Sequence, residues 1–258
     1  MNEKLDNGKS QTSWGKVAGW YDELLESDDG TYQSKIILPN LLRLLGDIKG
    51  REILDLACGQ GFFSREFAVK GALVAGVDLS PELIAIAKKN SGRGASYFVG
   101  SADKVPFPDG HFDVVVSVLA LQNIENLSGA VSEAARVLKS GGRLFAVLNH
   151  PAFRIPRRSS WGFDEREEIQ YRRVDGYISE SRVPIVMNPG KGSDKTTLSF
   201  HRPLQVYFKA FTKAGFVVTR LEEWVSDRKS QPGPRAVAEN RARKEFPLFL
   251  FLEARKSK

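Results

Sequence analysis

The segment Ile53-Leu54-Asp55-Leu56-Ala57-Cys58-Gly59-Gln60-Gly61-Phe62 constrains this chain more than any other. An apolar run reaches an acid and then opens into small residues and glycines. A helix-like stretch, Phe62 to Val69, follows, and a second apolar run, Leu73 to Val77, ends in Asp78. Strand, glycine loop, helix and strand in this order build a doubly wound α/β sheet with a nucleotide-type ligand at the carboxyl ends of its strands. Glycine lacks a Cβ, so the loop backbone can approach a bulky ligand. A carboxylate at the tip of the next strand can accept hydrogen bonds from both hydroxyls of a ribose.

The loop nearly fits the dinucleotide fingerprint, because Gly59-x-Gly61-x-x-Ser64 is followed by an acid roughly 20 residues on. Three features point elsewhere. Asp55 stands four residues before Gly59, where a dinucleotide strand is normally apolar. An acidic turn, Ser101-Ala102-Asp103, follows a third strand, Ala95 to Val99. A fourth strand, Phe112-Asp113-Val114-Val115-Val116-Ser117, is announced by Pro106-Phe107-Pro108-Asp109-Gly110. In this order the segments resemble the class I S-adenosylmethionine (SAM)-dependent methyltransferases of the small-molecule type. Arg136-Val137-Leu138-Lys139-Ser140-Gly141-Gly142-Arg143-Leu144-Phe145 adds to the likeness, since in that family a helix ends in such a glycine pair just before strand five.

The resemblance covers Lys49 to Asn149 closely and the last third loosely. It implies a seven-stranded Rossmann-like methyltransferase sheet, doubly wound, with an antiparallel terminal hairpin and an inserted lid. It implies SAM as cofactor and S-adenosylhomocysteine as product. Asp55 would face the ammonium group of SAM, whose positive charges favour a nearby carboxylate. Ala57, Gly59 and Gly61 would let the loop lie against the ligand, with alanine standing where the family usually has glycine. Asp78 would hold the ribose hydroxyls and Leu79 would cover one adenine face. In the turn at Ser101, Ala102 would offer a backbone donor to the ring and Asp103 would accept from the adenine amino group. Ser117, Val118 and Leu119 would line the path to the methyl group. Tyr21, with Tyr32 as second choice, would bond the methionine carboxylate from a segment lying over the pocket. The competing reading of Asp55 and Asp78 is that each only caps the helix after it. For Asp103 it is a plain turn residue, and for Tyr21 it is the buried stripe of its helix.

Composition sets the bounds. The 258 residues are 41% hydrophobic and 27% charged, which suits one large α/β domain, with or without an inserted lid. No apolar run approaches the roughly 20 residues that span a bilayer, so no membrane association is expected. Met1 to Ser13 is polar, unlike a signal peptide, and is expected to be disordered; the default location is cytoplasmic. The single cysteine, Cys58, excludes an intrachain disulfide and a metal cluster, and no metal site is expected. Its place in the glycine loop reads as a small packed residue rather than a reactive thiol. The net charge of +7 permits acidic or nucleic-acid partners without requiring them. The basic residues of Arg228 to Lys244 read as a solvated loop and helix face.

Along the chain, Met1 to Leu45 would form a helical cap over the cofactor, with helices at Trp14 to Leu25 and at Thr31 to Leu45, the latter bent at Pro39. Residues 46–150 and 203–258 would form the SAM-binding core. Within it fall a helix from Pro81 to Asn90 capped by Ser80, a helix from Leu127 to Leu138 closed at Gly141, and strand five from Arg143 to Asn149. Residues 151–202 are too long for a plain connection. They read as a lid: a small antiparallel sheet with strand-like pieces at Gly176 to Val186 and Thr196 to His201, and a short helix near Asp164 to Tyr171. A helix from Pro203 to Ala214 and strands at Phe216 to Trp224 and Phe246 to Ala254 would finish the fold.

Methyl transfer from SAM is an in-line displacement, so the protein mainly aligns the acceptor and excludes water. A general base helps only where the acceptor must lose a proton. His150, at the tip of strand five, and His201, before the helix at Pro203, are the candidates; each could instead bond backbone at a loop end. His111 reads as solvated. Phe153, Trp161, Phe163, Tyr171 and Tyr177 could wall a flat acceptor, while Arg154, Arg157, Arg158, Arg172, Arg173 and Arg202 could bind an acidic one. The expected activity is methyl transfer to a small molecule by a monomer or homodimer. Methylation of RNA, DNA or protein is the alternative, not favoured because Ser117-Val118-Leu119-Ala120 replaces the Asn-Pro-Pro-Tyr-like tetrapeptide used on exocyclic amines. A nicotinamide-dependent oxidoreductase and a non-catalytic binder are the remaining alternatives.

Overall fold

The computed structural model describes residues 14–15, 18–25, 30–186 and 196–257. A seven-stranded sheet forms its centre, in the order β10-β11-β5-β4-β1-β2-β3. Here β1 is Glu52–Leu56, β2 Leu73–Asp78, β3 Ala95–Val99, β4 Phe112–Val118, β5 Leu138–Asn149, β10 Phe216–Trp224 and β11 Phe249–Lys256. The pairs among β1 to β5 are parallel, whereas β11 runs antiparallel to both β5 and β10. The doubly wound sheet and its antiparallel terminal strands are those expected from the sequence.

Both faces of the sheet are covered, so its strands read as nearly continuous apolar runs. Alternate residues of β1 feed opposite cores: Leu54 and Leu56 meet α5 (Leu127–Val137) and α6 (Leu204–Lys213), while Ile53 meets α2 (Leu38–Leu45) and α3 (Phe62–Val69). Phe67 and Phe251 have no exposed surface in the second core. Truncating either to alanine should cost about 3–5 kcal/mol.

Local chemistry sets the helix ends. Ser80 caps α4 (Pro81–Lys89), its Oγ accepting the Leu83 N–H at 3.2 Å, with Pro81 in the first turn. The Thr31 to Leu45 stretch is two pieces. Gln33–Ile37 forms a wide π turn, closed by the Leu38 N–H on the Gln33 carbonyl, and α2 then begins. Pro39 lacks the N–H that a continuous α-helix would use there. The Asn40 side chain donates to the Ile36 carbonyl at 2.9 Å. Ahead of it lies α1 (Ala18–Leu25). The expectation for Met1 to Ser13 falls outside the described residues.

Three expectations change. The helix expected from Leu127 to Leu138 ends at Val137, and Gly141 does not close it, because Leu138 is already extended and pairs with Phe112; β5 starts five residues early. The residues from Asp164 to Tyr171 form no helix. They are the turn and second strand of a hairpin, β6 (Ser159–Asp164) with β7 (Ile169–Val174). Asp164 Oδ1 accepts the N–H groups of Arg166 and Glu167, both at 3.0 Å, and turns the backbone before a helix can start. The expected small antiparallel sheet forms between β8 (Ser181–Val186) and β9 (Thr196–His201), separate from that first hairpin. Near the carboxyl end, Ala236–Glu245 forms α7, and the last strand starts at Phe249 rather than Phe246.

Candidate cofactor and acceptor site

The glycine loop leaves β1 in an unusual backbone state. Ala57, Gly59 and Gly61 all have positive φ, at 61°, 58° and 82°. This left-handed region suits glycine, which explains why alanine is the unusual choice at position 57. At Gly61 a Cβ would also stand 2.7 Å from Tyr97 Oη, so the loop and the buried tyrosine exclude any larger residue there. Asp78, at the tip of β2, ties the loop in place. One carboxylate oxygen accepts the Gly59 N–H and the other the Ser80 N–H, both at 2.9 Å. Each oxygen retains lone-pair capacity for a further donor such as a ribose hydroxyl. Leu79 beside it is 45% exposed, a free apolar face next to that carboxylate.

Asp55 is buried beneath the loop and accepts the Ser64 hydroxyl at 2.5 Å. Desolvation pushes its carboxyl up to about 7, against the Ser64 hydrogen bond and helped by the charge of Asp78. Among the described residues no cation offsets this, so a positively charged ligand group beside the loop would relieve a destabilised carboxylate. Desolvation likewise raises the Cys58 thiol, which fits a packed residue rather than a nucleophile. On the other side, Asp103 is held by the Ser101 hydroxyl and by Asn126 Nδ2 at 2.8 Å. These two hydrogen bonds lower its pKa and keep it an acceptor. At the end of β4 the Ser117 hydroxyl is buried without a partner, Val118 is half-buried, and Leu119 is forced to a φ of 53°. The cradle, the carboxylates and the orphan hydroxyl converge at the carboxyl ends of β1, β2 and β4, and they fit an adenosyl ligand with a cationic tail. No cluster of metal-ligating side chains occurs among the described residues.

A methyltransferase-domain family model matches residues 54–146, the span that holds these features. The fold matches the crystal structure of a SAM-dependent methyltransferase from Mesorhizobium loti with a TM-score of 0.69 and 28% identity, over 88% of this chain and 99% of that one. Residues 54–146 form a methyltransferase domain similar to those of the class I SAM-dependent enzymes. Its cofactor is SAM. Among curated proteins it is 39% identical over 112 residues to a demethylmenaquinone methyltransferase of Tropheryma whipplei, covering 42% of this chain and 46% of that one. It is 38% identical over 160 residues to a malonyl-[acyl-carrier protein] O-methyltransferase of Hamiltonella defensa, covering 62% and 60%. The chain thus spans about half the length of the curated relatives it matches.

Residues 151–202 follow directly on the end of β5. His150 is buried at that end. Its Nε2 lies 2.7 Å from Glu223 Oε1, and its Nδ1 accepts the Ala152 N–H at 3.2 Å. Burial lowers its pKa against the pull of Glu223. Both ring nitrogens are engaged, and the histidine braces the turn that carries Arg154. His201, at the end of β9, is also buried; its Nε2 donates to the Tyr177 carbonyl at 2.8 Å, which leaves Nδ1 as the acceptor nitrogen. His111 is exposed. Arg202 is buried and donates to the carbonyls of Ile124 and Glu125 at 2.8 and 2.7 Å, so it fastens the insertion to the turn after β4 rather than facing an acidic ligand. Tyr32 Oη sits 3.1 Å from Ser226 Oγ, and the Tyr32 ring packs on Phe249. The side chain of Tyr21 lies outside the described residues. Trp161, Tyr171 and Tyr177 line no common pocket: Trp161 and Tyr171 are exposed on the first hairpin, and Tyr177 Oη accepts the Leu204 N–H.

Several partners have no sequence signature. Ser64, Asn126 and Glu223 act on Asp55, Asp103 and His150 across 9, 23 and 73 residues. Gln122, in the single turn Leu121–Asn123 after β4, was signalled only by its nearness to the end of that strand.

Proposed function

We propose that this chain methylates a small-molecule acceptor, and that residues 151–202 form a lid over that acceptor while residues 1–45 cap the cofactor. The observation that carries this reading is a cavity of about 30 Å³ at the ends of β4 and β5, lined by Gln122, Asn149, Arg154, His201, Arg202 and Tyr207. Ser199 and His201 of β9 and Tyr207 of α6 form part of its wall. Bound SAM supplies an activated methyl group, taken up by in-line displacement while sulfur keeps the bonding pair. The protein's part is placement. Asp55 pairs with the ammonium group, Asp78 takes the ribose hydroxyls, Leu79 covers the adenine, and Ala102 and Asp103 read its edge. Tyr21, with Tyr32 second, takes the methionine carboxylate. Ser117, Val118 and Leu119 line the way to the acceptor.

Where the acceptor must lose a proton, His201 is the better base. Its Nδ1 is unprotonated in the tautomer set by Tyr177, and it lines the cavity. His150 has no comparable nitrogen to offer. A small acceptor also agrees with the names of the relatives, one a demethylmenaquinone and one a malonyl-carrier methyltransferase. Nucleic acid is not favoured as a partner. No helix among the described residues is long and apolar enough to cross a membrane, and the cytoplasm is the proposed location.

Calorimetric titration with SAM, S-adenosylhomocysteine and NAD tests the cofactor site. Micromolar binding of the first two and none of NAD is expected. Binding of NAD alone would overturn the reading. An acceptor screen with methyl-labelled SAM then tests the small-molecule class, against mixed RNA and DNA at low salt, where a nucleic-acid enzyme would bind tightly.

A further inference from the structure

The acceptor cavity contains two unmatched groups. Arg154 is the first. Its Nη1 donates to Asn149 Oδ1 at 2.6 Å, and its guanidinium lies over the Phe249 ring at 5.5 Å. No carboxylate among the described residues pairs with it, and its surroundings add the like charge of Arg172. Arg154 is half-buried, and desolvation lowers its pKa, so its free N–H donors without a counter-charge favour an anionic partner. The neighbouring Arg172 is spent otherwise, donating to the Phe153 carbonyl and the Ser159 hydroxyl, each at 2.8 Å. Gln122 is the second. It is 6% exposed, its Nε2 donates to the Leu119 carbonyl at 2.7 Å, and its Oε1 is buried with no partner. The bond from Nε2 fixes the amide orientation, so the cavity presents Oε1 as an acceptor that needs a donor.

Both groups line the same small cavity. Its volume of about 30 Å³ exceeds the minimum for one water and suits the end of a molecule rather than a whole one. Arg154 calls for an anion, and its planar fork favours a carboxylate. Gln122 Oε1 calls for an N–H or O–H. Arg202, which also lines the cavity, has its donors committed to backbone carbonyls. From this geometry we infer that the acceptor is a carboxylic acid bearing a nearby hydroxyl or amino group, its carboxylate anchored by Arg154 and its donor by Gln122. This deepens the small-molecule reading and rests on this face being the acceptor side. Arg154 and Gln122 are then specificity-determining residues. The turn that His150 holds from inside is what presents Arg154.

The test uses lactate, propionate and lactamide as probes on the full chain, with and without S-adenosylhomocysteine, read by saturation-transfer NMR. Lactate is expected to bind in the millimolar range, with propionate about fivefold weaker and lactamide at least about tenfold weaker. Arg154→Gln, which keeps a donor for Asn149, should weaken lactate at least about tenfold, and Arg154→Lys should recover part of that loss. Gln122→Leu should bring lactate down to the level of propionate. The affinity for S-adenosylhomocysteine, unchanged in each variant, reports that the fold is intact. Lactate and lactamide binding equally, lactate binding Arg154→Gln as it binds the wild type, or lactate failing to bind the wild type at tens of millimolar would each overturn the inference. Should Arg154→Gln not fold, the wild-type comparison of lactate with lactamide and the Arg154→Lys variant decide it. Selective lactate binding by a protein that ignores S-adenosylhomocysteine would sink the cofactor reading and leave the carboxylate site standing.

Discussion

The Ser64 hydroxyl donates to the Asp55 carboxylate at 2.5 Å, out of solvent, under the glycine loop that follows β1. Burial dominates over that bond and raises the Asp55 pKa from 3.8 to about 7. The folded protein therefore holds a proton there that the unfolded chain releases between about pH 4 and pH 7. The stability contributed by this group falls as pH rises through that window. An ammonium group brought beside Asp55 reverses the balance and expels the proton.

Binding of S-adenosylhomocysteine should accordingly release close to one proton about a unit below pH 7 and weaken as pH falls. Calorimetry in two buffers of different ionisation enthalpy measures this directly. Asp55→Asn should abolish the release and flatten the pH dependence. Ser64→Ala should move the loss of affinity to higher pH, because it removes a hydrogen bond to the ionised form worth about 1.5–3 kcal/mol. A pH-independent affinity in the wild type would mean that Asp55 does not meet the cation.

Asp78 braces the loop and is proposed to hold the ribose, so its removal should show in two measurements. Asp78→Ala leaves the Gly59 and Ser80 N–H groups without their acceptor and should cost about 1–3 kcal/mol in urea unfolding. It should also weaken S-adenosylhomocysteine binding at least about tenfold, since hydrogen bonds to a charged group are lost. The protein should still fold. A loss of stability with unchanged affinity would make Asp78 a loop brace and nothing more.

What the sequence revealed follows from how local each interaction is. Asp55, Gly59, Gly61 and Asp78 were legible because strand tip, loop and next strand lie within one short βαβ unit, where spacing fixes position. The alternation of Ile53 and Leu54 between two cores is equally local. The insertion was not. Its Glu165-Arg166-Glu167-Glu168 run has good helix formers, yet the Asp164 side chain captures two backbone N–H groups and makes a hairpin turn. The engagement of His150 depends on Glu223, 73 residues away, and that of Arg202 on carbonyls 77 and 78 residues away. Nothing in either segment's composition announces its partner.

Ala57 occupies a left-handed conformation, φ 61°, that costs a non-glycine residue roughly 1–2 kcal/mol. Ala57→Gly relieves that strain but adds unfolded-state entropy worth about 0.5–1 kcal/mol, so a small net gain in thermal stability is expected. Ala57→Val combines a branched Cβ with the same φ and should lose about 2 kcal/mol or more. The ordering Gly, Ala, Val in melting temperature is the prediction. Equal stability of all three would show that the loop relaxes away from this geometry.

The two buried histidines should separate cleanly. His150 is satisfied on both nitrogens and its pKa is lowered by burial, so its contribution to stability is present near neutral pH and lost as pH falls from the ordinary histidine value of 6.5. His150→Ala should therefore lower stability by about 1–3 kcal/mol, from two unpaired N–H groups and an unpaired Glu223. It should leave the pH profile of turnover unchanged in shape. His201 donates to the Tyr177 carbonyl through Nε2 and lines the cavity. His201→Asn can still donate to that carbonyl but offers no base. With an acceptor that must lose a proton it should reduce kcat by about 10²–10⁴ while leaving S-adenosylhomocysteine affinity intact. If His150→Ala lowers kcat by that factor instead, the roles are reversed and the His150–Glu223 pair must open during turnover.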